Sequence, residues 1–185
     1  MERAAERWLQ RSAEIFLRDQ GIKKYQRVLD FGCHKGNYTI PAARVVDAVG
    51  TVYALDKDKA QLRELKHAVR KEALENVHFI QIKEDKKIPL PVAHVDIVLL
   101  YDVLHRGYMP EIVQRERLLR QVHQVLKQGG LLSFYPTHIR KYGMTLNQIL
   151  QEVKNAGFRL RRKSRRTLVH DEKLVRGRVF KFSKC

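Results

Sequence analysis

Cysteine is almost missing from this chain: Cys33 and Cys185 are the only two in 185 residues. They make no disulfide framework, and neither belongs to a cluster with metal-ligand spacing, so the sequence offers no metal site. Proline and glycine are sparse as well, at 5 and 10, and no linker, internal repeat or low-complexity tract interrupts the chain. A single domain over residues 1–185 is the expectation, since a chain of this size that is 44% hydrophobic can bury roughly two-thirds or more of its unfolded surface. Long apolar runs are also absent. The longest, V-D-I-V-L-L-Y-D-V-L from Val95, is too short and too charged to span a bilayer. The first residues, M-E-R-A-A-E-R-W, carry acids and lack the apolar core of a secretory signal, which points to cytoplasmic residence.

Acidic residues are in short supply, 20 against 37 Lys and Arg, for a formal charge of +17. Much of the excess follows Gly157, where Arg159, Arg161, Arg162, Lys163, Arg165 and Arg166 crowd together. On a strand these side chains alternate faces, so they charge an edge or a loop rather than one stripe. Two readings stand. The run binds nucleic acid or another polyanion, or it is a solvated surface that discourages edge-to-edge strand pairing. It lacks the interleaved aromatics that would stack on bases.

Against these absences one short run stands out: V-L-D-F-G-C-H-K-G, residues 28 to 36. Val28 and Leu29 end an apolar strand, Asp30 puts a carboxylate at its tip, and Gly32 and Gly36 bracket a turn into a helical pattern from Asn37. A strand, a glycine turn and a helix N-terminus together form the place where an open α/β sheet binds a ligand. A dinucleotide turn is G-x-G-x-x-G, and a carboxylate two residues before its first glycine repels pyrophosphate. A nicotinamide oxidoreductase is disfavoured on that ground. S-adenosylmethionine fits better, because it has no phosphate and carries a sulfonium and an ammonium.

At these residues the chain resembles the class I S-adenosylmethionine-dependent methyltransferases, whose first motif is usually D-x-G-x-G-x-G. Here His34 stands where the middle glycine is common, and an imidazole fits there with an ordinary φ or an outward side chain. The resemblance continues in order to about Phe158. T-V-Y-A-L-D ends in Asp56, about twenty residues past the turn, where an acid grips ribose hydroxyls. V-H-F-I-Q-I-K-E-D puts Glu84 and Asp85 after a third strand, where the family's acid accepts from the adenine amino group; spacing favours Glu84 slightly. V-D-I-V-L-L-Y-D-V-L-H looks like the fourth strand and the loop facing the methyl group. L-K-Q-G-G-L-L-S-F looks like the helix end, Gly-Gly turn and fifth strand.

The resemblance implies a Rossmann-like methyltransferase fold, a three-layer α/β sandwich around a seven-stranded, mostly parallel sheet with an antiparallel C-terminal hairpin. Apolar spacing agrees, predicting helices near 2–19, 37–47, 57–74, 110–127 and 145–156 between strands. Leu160, Leu168, Val169, Val179, Phe180 and Phe182 read as hairpin core. The implied cofactor set is Asp30, Gly32, Cys33, Gly36, Asp56, Lys57, Glu84, Asp85, Tyr101 and Asp102. Around the methyl group stand Tyr101, Asp102, His105 and Tyr108. His105, with Tyr101, is the catalytic candidate, since an imidazole can take a proton from an oxygen or nitrogen nucleophile; alternatively it caps or fills the first turn of a local helix. Tyr108 is a candidate substrate contact.

The N-terminal helix carries Ala5, Trp8, Leu9, Ser12, Ile15 and Phe16 along one stripe. It packs on the core, or forms a lid in which Trp8 or Phe16 touches substrate. No N-P-P-Y tetrad and no Pro-Cys pair occurs, which argues against adenine-N6, glutamine and RNA cytosine-C5 acceptors. The expected function is methyl transfer to a small molecule. The alternatives are an RNA or polyanion methyltransferase, or a nucleic-acid or partner-binding module without turnover. Nothing in the sequence fixes an oligomeric state.

Overall fold

The computed structural model describes residues 3–83 and 87–185. Its strands are β1 (Arg27–Phe31), β2 (Thr51–Asp56), β3 (Val77–Gln81), β4 (Val95–Tyr101), β5 (Leu126–Tyr135), β6 (Phe158–His170) and β7 (Lys173–Lys184). They make one seven-stranded sheet in the order β3-β2-β1-β4-β5-β7-β6. The first five run parallel, and β7 pairs antiparallel with both β5 and β6. The helices are α1 (Arg3–Arg11), α2 (Ala13–Gln20), α3 (Thr39–Val46), α4 (Lys59–Lys71), α5 (Ile112–Val125) and α6 (Leu146–Asn155). None among the described residues is long and apolar enough to cross a membrane.

The strand period of two explains the layers. Along β1 and β4, Val28, Ile97 and Leu99 face one core with Ala5, Leu17, Val45 and Leu65 from α1 to α4. Leu29, Val98 and Leu100 face the other, with Leu119, Val122, Ile149 and Val153 from α5 and α6. Central parallel strands buried on both faces read as near-continuous apolar runs, which Asp30 in β1 and Asp96 in β4 interrupt. One buried polar link crosses the second layer: Arg115 on α5 makes a bidentate pair with Glu152 on α6, at 2.9 Å for each bond.

Several boundaries differ from the sequence expectations. The first helix is two, broken at Ser12, whose N–H still donates to Trp8 O at 2.8 Å while the next helix starts from its carbonyl. Ile15 consequently leaves the buried stripe and is 69% exposed. The helix expected from 57 begins at Lys59, because the Asp58 side chain accepts from the N–H groups of Ala60 and Gln61 and caps it there. The Gly129–Gly130 pair is no separate turn but lies within β5, where the register slips from Val95↔Leu126 to Ile97↔Leu131. The β5 strand advances five residues there against two on β4, an irregularity in the ladder, and Gly129 takes φ 71 within it. In the hairpin, Leu160 is 39% exposed beside another irregularity in the β6–β7 register, while Leu168, Val169, Val179, Phe180 and Phe182 are buried as expected.

The chain winds outward from β1 to β3, then returns to place β4 on the other flank of β1. Connections therefore leave the C-terminal ends of β1 and β4 in opposite directions. The gap between them is where ligands sit in such sheets.

Candidate cofactor cleft and active site

A cleft of about 740 Å³ occupies that gap. Its floor is the β1–α3 turn. One wall comes from the loop after β4, and another from the tip of the β6–β7 hairpin, which hangs over the glycine turn: Tyr38 Oη donates to Val169 O at 2.8 Å and Lys35 pairs with Glu172 at 3.7 Å. A recess of about 240 Å³ adjoins it, shares Lys57, Gly107 and Tyr108, and extends to Ile82 and Lys83 past β3. Glu84 and Asp85, the predicted adenine acids, lie outside the described residues.

The turn needs its glycines. Gly32 has φ 76, and a Cβ there would stand 2.9 Å from Val103 Cγ2; at Gly36, φ 88, it would strike the Leu65 side chain. His34 also takes a left-handed φ of 48 with its side chain exposed, so the imidazole is accommodated outward rather than through an ordinary φ. Its N–H donates to Asp56 Oδ2 at 2.8 Å, and the Asp58 N–H donates to Asp56 Oδ1 at 2.9 Å. Asp56 thus ties the turn to the start of α4 and keeps lone pairs for further donors. Cys33 is buried, and burial, with the Asp30 and Asp56 charges, pushes its thiol far above the usual range, so it is a wall and not a nucleophile.

Asp30 is 4% exposed and accepts from Thr39 Oγ1 at 2.6 Å. Burial pushes its carboxyl up to about 7, against the Thr39 hydrogen bond and with an added push from the Asp56 charge. A buried acid beside a second acid, opening on a cleft, fits a cationic ligand. Gln61 Oε1, buried on the same cleft, has no hydrogen-bond partner among the described residues. A sulfonium-and-ammonium cofactor with a ribose meets this donor and acceptor set. Lys57 Nζ stands 4.6 Å above the Tyr108 ring, so this pair frames the passage from cleft to recess.

At the other end the expected roles divide. Tyr101 lines the cleft with its ring, but its hydroxyl bonds Ser133 Oγ at 2.7 Å inside the core, and burial raises it well above the usual phenol range. A catalytic acid–base role for Tyr101 does not fit that geometry. Trp8 and Phe16 are not among the cleft-lining residues. They are buried against Tyr38, and Leu9 takes the lining position instead. His105 sits in a bend that opens an isolated turn, its carbonyl accepting from the Tyr108 and Met109 N–H groups at 3.1 and 2.8 Å, so the reading that it fills a local helical turn stands beside the catalytic one. It stacks on Tyr142 with ring centroids 5.0 Å apart, and its Nε2 lies 3.3 Å from Asp102 Oδ1. Its Nδ1 is buried without a partner among the described residues.

Asp102, at φ 57, is the hub. Its Oδ1 also stands 3.1 Å from His138 Nδ1, and its Oδ2 3.8 Å from His170 Nε2. Tyr135 closes over His170 edge-on, with centroids 6.2 Å apart. Beyond them opens a recess of about 620 Å³ lined by Thr137, Arg165, Arg176 and Arg178, which shares Tyr135, His138 and His170 with the cleft. His138, His170, Arg176 and Arg178 were not singled out from the sequence, whereas Arg165 was, as part of the basic run. The available signal was positional: His138 follows the C-terminal end of β5, one of the parallel strands that meet at the cleft. The basic run is only partly solvated: Arg162 and Arg166 pair with Asp19 of α2 at 2.9 and 3.0 Å, and Arg161 donates to Ser183 at 2.8 Å.

Over 113 residues the chain is 29% identical to the ubiquinone/menaquinone biosynthesis C-methyltransferase UbiE of Vibrio vulnificus, covering 60% of this chain and 41% of that protein. The UbiE of Yersinia enterocolitica matches at 29%, with 43% of its length covered, so the match spans about two-fifths of these relatives. Among solved structures, a SAM-dependent methyltransferase from Aquifex aeolicus superposes with a TM-score of 0.77 at 22% identity, covering 97% of this chain and 93% of that one. One from Methanosarcina mazei gives 0.73 at 15%, covering 91% and 96%. These likenesses show the seven-stranded methyltransferase fold. Residues 28–130, more than half of the chain, match the family described as Methyltransferase domain, and the chain belongs to this family of class I S-adenosylmethionine-dependent methyltransferases.

Proposed function

We propose that this chain binds S-adenosylmethionine in the cleft and transfers its methyl group to a small acceptor that carries an anionic group. The observation that carries the acceptor class is the recess of Arg165, Arg176 and Arg178, which opens directly onto His138 and His170 at the methyl end of the cleft. Guanidinium groups there suit a carboxylate or phosphate, which they can hold in bidentate fashion. Thr137 Oγ1, buried on the same recess without a partner among the described residues, offers a further hydrogen bond. A volume of about 620 Å³ suits a small molecule.

When bound, the cofactor supplies an electrophilic methyl on a sulfonium. The chain's own part is positioning and proton handling. Asp30, ionised by the arriving cation, holds the methionine end, and Asp56 accepts from the ribose hydroxyls with the lone pairs its backbone partners leave. Lys57 and Tyr108 flank the way to the recess past Ile82, and Glu84 or Asp85, outside the described residues, is proposed to read the adenine. Asp102 orients His138 through Nδ1 at the edge of the arginine recess where the acceptor is proposed to sit. His105 acts through Asp102, as a positioning residue. Bringing acceptor and methyl into line supplies most of the acceleration.

The test is methyl transfer from radiolabelled S-adenosylmethionine to a fractionated extract. The proposal expects label in small anionic metabolites and a loss of about 10-fold or more in kcat/KM when Arg176 and Arg178 are both changed to Gln. Label in RNA or protein would overturn the acceptor class. Cofactor binding without turnover in any fraction would favour a binding module.

A further inference from the structure

We infer that His138 and His170, with carboxylates from Asp102 and Asp171, form a binding site for one divalent transition-metal cation of the zinc type, at the junction of the cofactor cleft and the arginine recess. Asp102, His138 and His170 can each bring one ligating atom within 4.8 Å of the other two. A tighter triangle lies beside them. His138 Nε2 and His170 Nε2 are 3.4 Å apart, His170 Nε2 and Asp171 Oδ2 are 3.4 Å apart, and His138 Nε2 and Asp171 Oδ2 are 3.8 Å apart. Donor atoms on a tetrahedral cation with arms of about 2.0–2.1 Å stand about 3.3–3.4 Å from one another. The observed triangle needs only a small contraction along one edge.

Tautomers argue in the same direction. An ionised carboxylate only accepts, so the 3.1 Å contact from Asp102 Oδ1 puts the proton of a neutral His138 on Nδ1 and the lone pair on Nε2. That lone pair points at His170 Nε2. At 3.4 Å the two nitrogens are too far apart for a good hydrogen bond, whereas a shared cation satisfies both. The carboxylate on the far nitrogen of a ligating histidine is also the usual support of such sites, fixing ring orientation and raising ligand basicity. Asp102 fills that role through Oδ1, and its Oδ2, 3.8 Å from His170 Nε2, lies near a fourth position.

Imidazole nitrogens select against magnesium and calcium, which take oxygen ligands, and favour zinc or a neighbouring transition metal. The backbone holds the donors in place at some expense. Asp102 and His138 take φ 57 and 52, a region sparsely used by residues other than glycine. Asp171, φ 47, sits in the two-residue turn between β6 and β7, which carries it over the cleft. A fifth position, on the side of the recess that His138 and His170 line, would lower the pKa of an acceptor oxygen bound there. That use rests on the proposed methyl transfer; the cation site itself does not.

The experiment strips the 185-residue chain of metal, confirms its fold by circular dichroism, and titrates it with Co²⁺ by visible absorption and with Zn²⁺ by calorimetry. S-adenosylmethionine is titrated into the same samples, so a failure of the cofactor reading is distinguished from a failure of the cation site. The expected result is one cation per chain, with the intense visible bands of a four- or five-coordinate Co²⁺ centre. Affinity should fall 100-fold or more in His138→Gln and in His170→Gln, and about 10–100-fold in Asp102→Asn. If a glutamine variant does not fold, its alanine counterpart takes its place. No saturable cation in the wild type, or equal binding by the His138/His170 double variant, would overturn the inference.

Discussion

Replacing Asp30 by asparagine is predicted to stabilise the protein while disabling its cofactor cleft. The Asp30 carboxyl is buried and pushed from its ordinary 3.8 up to about 7. Because the folded value is raised, the native state binds the proton more tightly than the unfolded chain between those two values. Stability therefore falls as pH rises through that window; the penalty is absent below about 4 and complete above about 7. At about 1.4 kcal/mol per pH unit, it amounts to roughly 4 kcal/mol at pH 8 as an upper figure, since relaxation around a buried charge reduces it. Asparagine has nearly the same shape, accepts from Thr39 Oγ1 as the carboxylate does, and carries no charge. For a chain of this size each kcal/mol moves Tm by about 2–4 °C, so Asp30→Asn should melt roughly 5–10 °C higher at pH 8 and close to wild type at pH 4.5. On the proposed reading the same change removes the anion that faces the cofactor's cationic end, and it should weaken S-adenosylmethionine binding by about 30-fold or more. Scanning calorimetry at the two pH values, with a cofactor titration, checks both halves. A variant no more stable at pH 8 than at pH 4.5, with cofactor affinity intact, would refute the reasoning.

Other expectations follow from the same geometry. Wild-type affinity for S-adenosylmethionine should rise by up to tenfold per pH unit from pH 5 to about 7 and then level off, because Asp30 must release its proton to meet the cation; a flat profile by calorimetry would contradict this. Tyr101→Phe should keep kcat within a few-fold, since the hydroxyl is bonded to Ser133 inside the core, and should cost about 1 kcal/mol in denaturant unfolding; a hundredfold loss of kcat would restore Tyr101 as a catalytic residue. Glu152→Gln should destabilise the chain by about 3–5 kcal/mol, because it leaves the buried Arg115 guanidinium without its bidentate partner; urea midpoints measure it.

The part of the site that was legible beforehand is the part written in contiguous residues. Asp30, Gly32 and Gly36 belong to one turn, and Asp56 ends the next strand, so their mutual placement follows from a single strand-turn-helix unit and its neighbour. His138, His170 and Asp171 lie far from Asp102 in sequence. Only the sheet order, with β5 beside β4 and the β6–β7 hairpin folded back over the cleft, brings them together. Periodicity likewise identified the apolar stripe of the N-terminal segment but not what it faces. Trp8 and Phe16 meet Tyr38 in the core, and the break at Ser12 turns Ile15 out to solvent. The Gly129–Gly130 pair reads as a turn locally, yet pairing with β4 on both sides of it makes it an irregularity inside a strand. The arginine run after Gly157 was legible as side chains that alternate faces and charge an edge or a loop, but not which of them find acidic partners. Alternation along β6 sends Arg162 and Arg166 to Asp19 and leaves Arg165 on the recess beside His138 and His170.

The most direct measurement is calorimetric titration of S-adenosylmethionine into the wild type and into Asp56→Ala. That variant loses the carboxylate that accepts from the His34 and Asp58 N–H groups and that is proposed to accept from the ribose. A single micromolar site in the wild type that weakens by about 30-fold or more in the variant is the predicted result. No heat of binding to the wild type at millimolar cofactor, or equal affinity in the two proteins, would contradict the account.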